Sequence, residues 1–205
     1  MYIPPQYKNE NLSEVKEFLK QNSFGILVSQ VDGKPWATHI PLELDTDENG
    51  QDMLVSHISK ANPQWTQFAD QEAVLCIFNG PHSYVSSSWY KEEEVPTWNY
   101  IAVHVYGTLQ ILGEAAVLDS MHKLVDKYEE NSECPVSIAK LSSKTMRQVK
   151  GVIGFKITIT EIQAAKKISQ GREEDHPKII KELEKRDAQA IAIAQTMKQH
   201  KKPIK

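Results

Sequence analysis

The sequence predicts a mainly β protein, built as an antiparallel barrel with peripheral helices and a long C-terminal helix. About six short strand-like segments follow one another in hairpin order, separated by turn signals. Helical patterns interrupt these strands without alternating regularly with them, which argues against a doubly wound sheet. Small barrels of this kind can hold one ligand at the rim.

The strands are recognised by apolar runs and by alternation of apolar and polar residues. A two-residue hairpin signal, Asp32-Gly33, joins the first two strands, and alternating residues after Gly154 predict the last one. Strands are expected at residues 24–30, 35–44, 53–57, 73–78, 83–89, 100–112 and 155–160.

The helices are recognised by apolar residues at helical spacing and by capping residues. Asn11 followed by Glu14 is a capping-box-like pattern, and Asn62-Pro63 predicts a short helix through Phe68 and Ala69. Other helices are expected at residues 11–21, 115–130, 143–150 and from Asp175 to the C-terminus. We therefore expect a barrel domain over residues 1–170 and a helical extension over 171–205.

Composition limits the classes of function. The chain has 205 residues, 40% hydrophobic and 25% charged, with a net charge of −3. These values predict a globular domain and argue against a surface that attracts nucleic acid everywhere. Cys76 and Cys134 fit neither a disulfide framework nor a thiolate metal site. We expect a cytoplasmic protein, because no apolar run approaches the length that spans a bilayer.

Residues 56–65 have two interpretations. Hydroxyl, imidazole and ammonium groups there lie between a strand end and a helix N-terminus, which is typical of a phosphate site. Alternatively, Ser59 and Asn62 only cap the helix and Lys60 is solvated. The residues themselves do not decide between the two.

Aromatic and hydroxyl side chains lie on either side of the acidic loop at residues 92–94. Trp89 and Trp98 are the largest of them. Aromatic groups with polar tips suit a planar ligand, but they are also enriched at subunit interfaces. A site shared between two subunits satisfies both interpretations.

A basic stretch near residue 145 could contact DNA phosphates. It lacks carboxylates, and its four cations are Lys140, Lys144, Arg147 and Lys150. A solvated helix face is the alternative. The connector through Cys134-Pro135 is too long for a helix-turn-helix. The seven histidines show no helical pair that would bind a metal, so we predict no metal site.

Several longer motifs lie at residues 1–4, 37–42, 57–65, 80–84, 88–90, 95–100 and 104–107. Together they resemble the PaiB family, described as FMN-binding negative transcriptional regulators. The resemblance runs nearly end to end. It implies an FMN-binding split barrel, similar to pyridoxamine-phosphate oxidases, that is usually a homodimer with flavin at the subunit interface. The founding member is regarded as a repressor of protease synthesis and sporulation.

The resemblance also implies a flavin site. The positions that match the phosphate-binding strand and turn are Ser56, His57, Ser59, Lys60 and Asn62. Thr38, His39 and Ile40 would line the isoalloxazine edge. Pro41 has no N–H, so a backbone hydrogen bond to the flavin must come from a neighbour. The oxidases of this fold use an Arg-Lys pair on the phosphate, whereas this segment has one cation.

We therefore expect an FMN-binding homodimer that acts as a negative regulator. DNA is an expected partner only because the resemblance to the family implies it. A flavin-dependent oxidoreductase, with a small substrate near Trp89 and Trp98, is the alternative. Haem is a third ligand to consider, because some similar barrels bind it through histidine. The candidate haem ligands are His39, His57, His82 and His104.

Overall fold

The computed structural model describes residues 1–68 and 72–200, with only the backbone of Glu72. The α-helices are α1 Leu12–Gln21, α2 Glu114–Glu129, α3 Ser143–Met146, α4 His176–Leu183 and α5 Ala188–Gln199. The strands are β1 Phe24–Val31, β2 Lys34–Pro41, β3 Glu43–Thr46, β4 Asp52–Ser59, β5 Glu72–Val85, β6 Thr97–Ile111 and β7 Val152–Lys167. Short 3-10 helices lie at Pro5–Tyr7, Pro63–Gln67, Ser87–Trp89, Ile138–Lys140 and Arg147–Gly151.

The strands form one sheet in the order β2-β1-β5-β6-β7-β4-β3. Antiparallel registers join β1 to β2, β1 to β5, β3 to β4 and β4 to β7. The predicted hairpin signal is confirmed, since Asp32 and Gly33 have φ values of 50° and 75° and connect β1 to β2. Strands β2 and β3 lie at the two edges of this sheet, so hydrogen bonds between strands do not close it into a barrel.

The chain divides into two compact units. The first comprises residues 1–18, 79–103 and 163–205, and the second comprises 19–78 and 104–162. Residues 171–200 belong to the first unit, and the domain boundary expected after residue 170 remains a prediction. Residues 201–205 and Ala69, which was expected in the short helix, lie outside the described residues.

Each unit has its own apolar cluster. In the second unit, the ring of Phe68 packs edge-on against that of Phe155, with centroids 5.4 Å apart. Other fully buried side chains of this unit are Leu27, Leu42, Leu54, Phe78, Leu109 and Ile157. In the first unit, α4 and α5 pack against each other and bury Ile179, Leu183, Ile193 and Met197 in one cluster.

The C-terminal segment is two helices where the sequence predicts one long helix. The apolar stripe continues, but the chain turns after Leu183, and the carboxylate of Asp187 accepts the N–H of Ala190 at 2.9 Å. An aspartate in that position begins a new helix. Both helices can therefore bury their apolar faces in the same cluster.

The strand expected at residues 83–89 is also corrected. Strand β5 continues through Gly80-Pro81 to Val85, and a 3-10 helix capped by Ser86 follows. Gly80 lies inside this strand, and a Cβ there would lie 2.5 Å from the ring of Phe18. Close packing, and not chain reversal, accounts for this glycine.

Three further elements differ in extent from the sequence prediction. Residues 35–44 form two strands, since the N–H of Leu42 bonds to the carbonyl of Ser23 between them. Residues 143–150 form the four-residue α3 and a 3-10 helix, and the last strand is longer than predicted. Both cysteines are free, Cys76 buried and Cys134 exposed. Among the described helices, none has the length and apolar character to cross a membrane.

Candidate functional site

The turn after β4 is capped as the plainer interpretation of residues 56–65 expects. The hydroxyl of Ser59 accepts the N–H of Ala61 at 3.2 Å, and the carbonyl of Ser59 accepts the N–H of Asn62 at 2.9 Å. The side chain of Asn62 accepts the N–H of Gln64 at 3.0 Å. These backbone donors are satisfied within the chain, so a phosphate at this turn must be held by side chains.

The side chain of Lys60 is exposed to solvent, whereas its backbone is held by hydrogen bonds. Its N–H donates to the carbonyl of Gly151 at 2.9 Å, and its carbonyl accepts the indole N–H of Trp65 at 2.8 Å. Its residue is exposed, and its ammonium has no ion-pair partner among residues 1–68 and 72–200. A cation held this way is available to an anion.

A buried polar network ties β2 to this turn. Gln64 is fully buried, and its amide oxygen accepts the hydroxyl of Thr38 at 2.5 Å. Its amide nitrogen donates to the hydroxyl of Ser29 at 3.0 Å and to the carbonyl of Leu27 at 3.3 Å. Asn62 donates to the hydroxyl of Thr38 at 2.9 Å. Gln64 was not among the predicted site residues, because no local motif indicates these long-range hydrogen bonds.

The open edge of β2 carries backbone donors. The two-residue hairpin pairs Val31 with Lys34, and backbone hydrogen bonds in an antiparallel pair alternate from that point. By this alternation, Pro35, His39 and Pro41 direct their backbone groups away from β1. The two prolines therefore cost no ladder bond, whereas the N–H of His39 faces the edge. The residue itself is exposed, and its ring stacks on that of Phe24.

Ser56 and His57 lie on opposite faces of β4, since neighbouring strand residues alternate. Ser56 is buried, and its hydroxyl donates to the carbonyl of Pro41, which joins β4 to β2. The inward side chain of Ile40 is buried as well. Ser56 and Ile40 therefore support the fold around the turn.

His57 lines a cavity of about 210 Å³ between β3, β4 and α2. Charged side chains surround it: Lys127 pairs with Glu43 at 2.6 Å, and Lys123 pairs with Asp45 at 3.1 Å. Burial lowers the pKa of His57 below the usual value. The sequence predicts that His57 belongs to the phosphate site. Its side chain lines this charged cavity, and contact with the phosphate remains a prediction.

A second cavity, of about 400 Å³, lies beside Lys60. Its lining is mainly apolar, and the charged members are Lys60, Lys150 and Glu114. The apolar lining comes from Leu112, Val117, Leu118, Met146, Val149, Val152 and Ile153. Lys150, considered for DNA in the sequence, is thus brought to the same cavity as Lys60.

The other predicted residues lie elsewhere. Trp89 is 8% exposed in the cluster of the first unit, with the guanidinium carbon of Arg186 4.5 Å from its ring centroid. Trp98 is 54% exposed, and the ring centroids of His82 and Tyr84 lie 6.0 and 6.1 Å away. Trp98 is therefore the more accessible of the two, and contact of either tryptophan with a ligand remains a prediction.

The remaining basic residues are exposed. Lys140, Lys144 and Arg147 have no ion-pair partner in the described part of the chain. The helix they flank, α3, has four residues. That is shorter than the recognition helix of a helix-turn-helix. Contact between these residues and DNA remains a prediction.

The candidate haem histidines occupy different settings. His39 and His82 are exposed, and Nδ1 of His104 is buried without a hydrogen-bond partner among the described residues. Burial also lowers the pKa of His104. In residues 1–68 and 72–200, no three His, Cys, Asp or Glu side chains form a group that could hold a metal ion. Haem ligation by any of these histidines stays a prediction.

Comparison with known proteins identifies the family. A family model described as "Putative FMN-binding domain" matches residues 1–161. The chain is 43% identical over 186 residues to protease synthase and sporulation protein PAI 2 of Bacillus subtilis, covering 90% of this chain and 89% of that protein. The chain belongs to the PaiB family of FMN-binding proteins. Its cofactor is FMN.

Solved structures confirm the split-barrel fold. The FAD and haem binding protein from Mycobacterium smegmatis aligns with a TM-score of 0.60 at 15% identity, over 82% of this chain and 78% of that one. The flavocytochrome Anf3 from Azotobacter vinelandii aligns with a TM-score of 0.57 at 15% identity, over 83% and 75%. The PaiB-type chain is a flavin-binding split barrel, as the sequence predicted.

The side chains around the turn after β4 fit FMN. A flavin phosphate requires cations or hydrogen-bond donors, and Lys60 supplies a cation without an ion-pair partner in the described chain. A flavin ring requires directional donors along one edge, and β2 offers the N–H of His39. A hydrogen bond between Thr38 and Asn62 connects β2 to the turn that carries Lys60.

Proposed function

We propose that the protein is a PaiB-type regulator that binds FMN along β2 and the turn after β4. We further propose that it acts in the cytoplasm as a homodimeric negative regulator of gene expression. The observation that carries the regulatory role is the 43% identity to the Bacillus subtilis protein across 90% of the chain, because that protein's name refers to protease synthesis and sporulation.

In this proposal the two ends of FMN contact different elements. The phosphate lies at the ammonium of Lys60, whose backbone is held by hydrogen bonds to Gly151 and Trp65. The isoalloxazine lies along β2, where the N–H of His39 donates to it. Bound FMN would supply reversible electron transfer, and the protein would orient the ring and control its access to solvent.

A homodimer accounts for the exposed aromatic patch of the first unit. Trp98, Tyr84 and His82 form this patch on β5 and β6, and Val95 beside Trp98 in the sequence is 70% exposed. Aromatic side chains are enriched in the buried centres of interfaces. Light scattering should give twice the mass of the chain, and Trp98→Ala should shift it toward the monomer.

DNA contact is assigned to the exposed cations Lys140, Lys144 and Arg147. If these contact phosphates, affinity for duplex DNA from upstream of the protein's own gene should fall steeply with salt. Neutralising Lys144 and Arg147 should reduce the slope of log K against log salt by about 1.8, at roughly 0.9 per phosphate contact. An unchanged slope would remove this segment from the DNA surface.

Flavin binding is tested most sharply at Lys60. Lys60→Ala should weaken FMN binding by the value of a charge-assisted hydrogen bond, roughly 1.5–3 kcal/mol. Riboflavin, which lacks the phosphate, should bind both proteins equally, and Lys144→Ala is the matched control. Quenching of flavin fluorescence measures each affinity. Equal FMN affinity in Lys60→Ala and the parent would move the phosphate elsewhere.

A flavin-dependent oxidoreductase is the second candidate. The exposed cluster of Trp98, His82 and Tyr84 favours it, because aromatic rings with polar neighbours suit a small planar substrate. FMN-loaded protein should then consume NADH or NADPH with repeated turnover. A single stoichiometric reduction without turnover favours the regulator.

A further inference from the structure

Two cations from distant parts of the sequence line the 400 Å³ cavity. Lys60 lies in the turn after β4, and Lys150 lies in the 3-10 helix that precedes β7. The hydrogen bond from the Lys60 N–H to the carbonyl of Gly151, at 2.9 Å, holds the two backbones side by side. The backbone therefore places both residues beside the same cavity.

The charge in this cavity is unbalanced. Neither ammonium has an ion-pair partner in residues 1–68 and 72–200, and Glu114 is the one carboxylate that the described lining contributes. The rest of the lining is mainly apolar. Both lysines are exposed, so their ammonium groups are available to an anion that enters the cavity.

We infer that Lys150 is a second phosphate-binding cation for FMN and acts together with Lys60. This inference rests on the proposed flavin site. A phosphate monoester carries a charge of about −1.5 to −2 at pH 7, which two lysines match and one does not. Residues 56–65 contain one cation, Lys60. The second cation, Lys150, comes from the 3-10 helix that precedes β7.

The assignment separates Lys150 from its neighbours in the basic segment. Lys144 and Arg147 are exposed and do not line the cavity. They remain available for DNA, whereas Lys150 belongs to the flavin site. Glu114 opposes phosphate binding, and removing its charge should tighten FMN binding.

The test measures FMN and riboflavin affinity by fluorescence quenching in the full chain and three variants. Lys150→Gln should weaken FMN binding about ten-fold or more and leave riboflavin unchanged. Lys144→Gln carries the same charge change outside the cavity and should alter FMN affinity less than about two-fold. Glu114→Gln should bind FMN more tightly than the parent. Circular dichroism and thermal melts confirm that each variant is folded.

The outcomes separate this inference from the proposed function. If the parent binds FMN and Lys150→Gln binds it equally, Lys150 does not hold the phosphate and the flavin site stands. An equal loss of FMN and riboflavin, or an equal loss in Lys144→Gln, also overturns the role of Lys150. If the parent binds neither flavin, the proposed function and the inference fall together.

Discussion

Gln64 tests how a buried polar network holds the turn after β4 in place. Gln64→Leu keeps the side-chain volume but removes the acceptor for Thr38 and the donor for Ser29 and Leu27. Ser29 is 6% exposed, so its hydroxyl has little access to water once this partner is lost. Each buried group left without a partner costs about 1–3 kcal/mol. We expect a total loss of about 2–4 kcal/mol, since Thr38 is only half-buried.

Urea unfolding measures this loss, with Gln67→Leu as the control because Gln67 is an exposed residue of the same 3-10 helix. Adding Ser29→Ala to Gln64→Leu should cost less than the sum of the single changes, because no hydroxyl is then stranded. FMN affinity should fall in Gln64→Leu as well. A stability within about 0.5 kcal/mol of the parent would refute the network.

Two further changes test the packing of the second unit. Gly154→Ala places a Cβ 2.4 Å from Val117 and should destabilise the protein by about 1–3 kcal/mol in thermal melts. Adding Val117→Ala should restore part of this loss. Gly151→Ala is the control and should be near neutral, because a Cβ there meets open space. Burial lowers the pKa of His57, so the unfolded chain binds the proton more readily and stability should fall below about pH 6.5. His57→Gln should flatten that decline between pH 7 and 5, whereas His82→Gln at an exposed position should not.

Local sequence signals predicted most of the elements because the residues that make them are neighbours. Asp32-Gly33 gave the hairpin, and the Asn11 side chain caps α1 by accepting the N–H of Glu14 at 3.2 Å. The errors arose where distant contacts decide. The strand expected at residues 83–89 is instead partly the end of β5, which continues through Gly80 where it packs against the ring of Phe18. The break between α4 and α5 depends on a shared cluster that periodicity does not reveal.

The candidate site was predicted only in part for the same reason. Ser59, Lys60 and Asn62 are consecutive enough to be recognised as one turn, and the resemblance added β2. Gln64 contacts β1 and β2 through long-range hydrogen bonds that no motif records. In the sequence, Lys150 belongs to a basic stretch that is far from Lys60. The pairing of β4 with β7 brings the two residues to one cavity, and no local motif indicates that pairing.

We propose that FMN binds with its phosphate at Lys60. A pair of fluorescence titrations of the purified chain, with FMN and with riboflavin, tests this placement when it is repeated for Lys60→Ala. We expect FMN to bind more tightly than riboflavin to the parent, and this preference to decrease by about ten-fold or more in the variant. Equal affinities for the two flavins in the parent would contradict a phosphate site, and an unchanged preference in the variant would contradict its placement at Lys60.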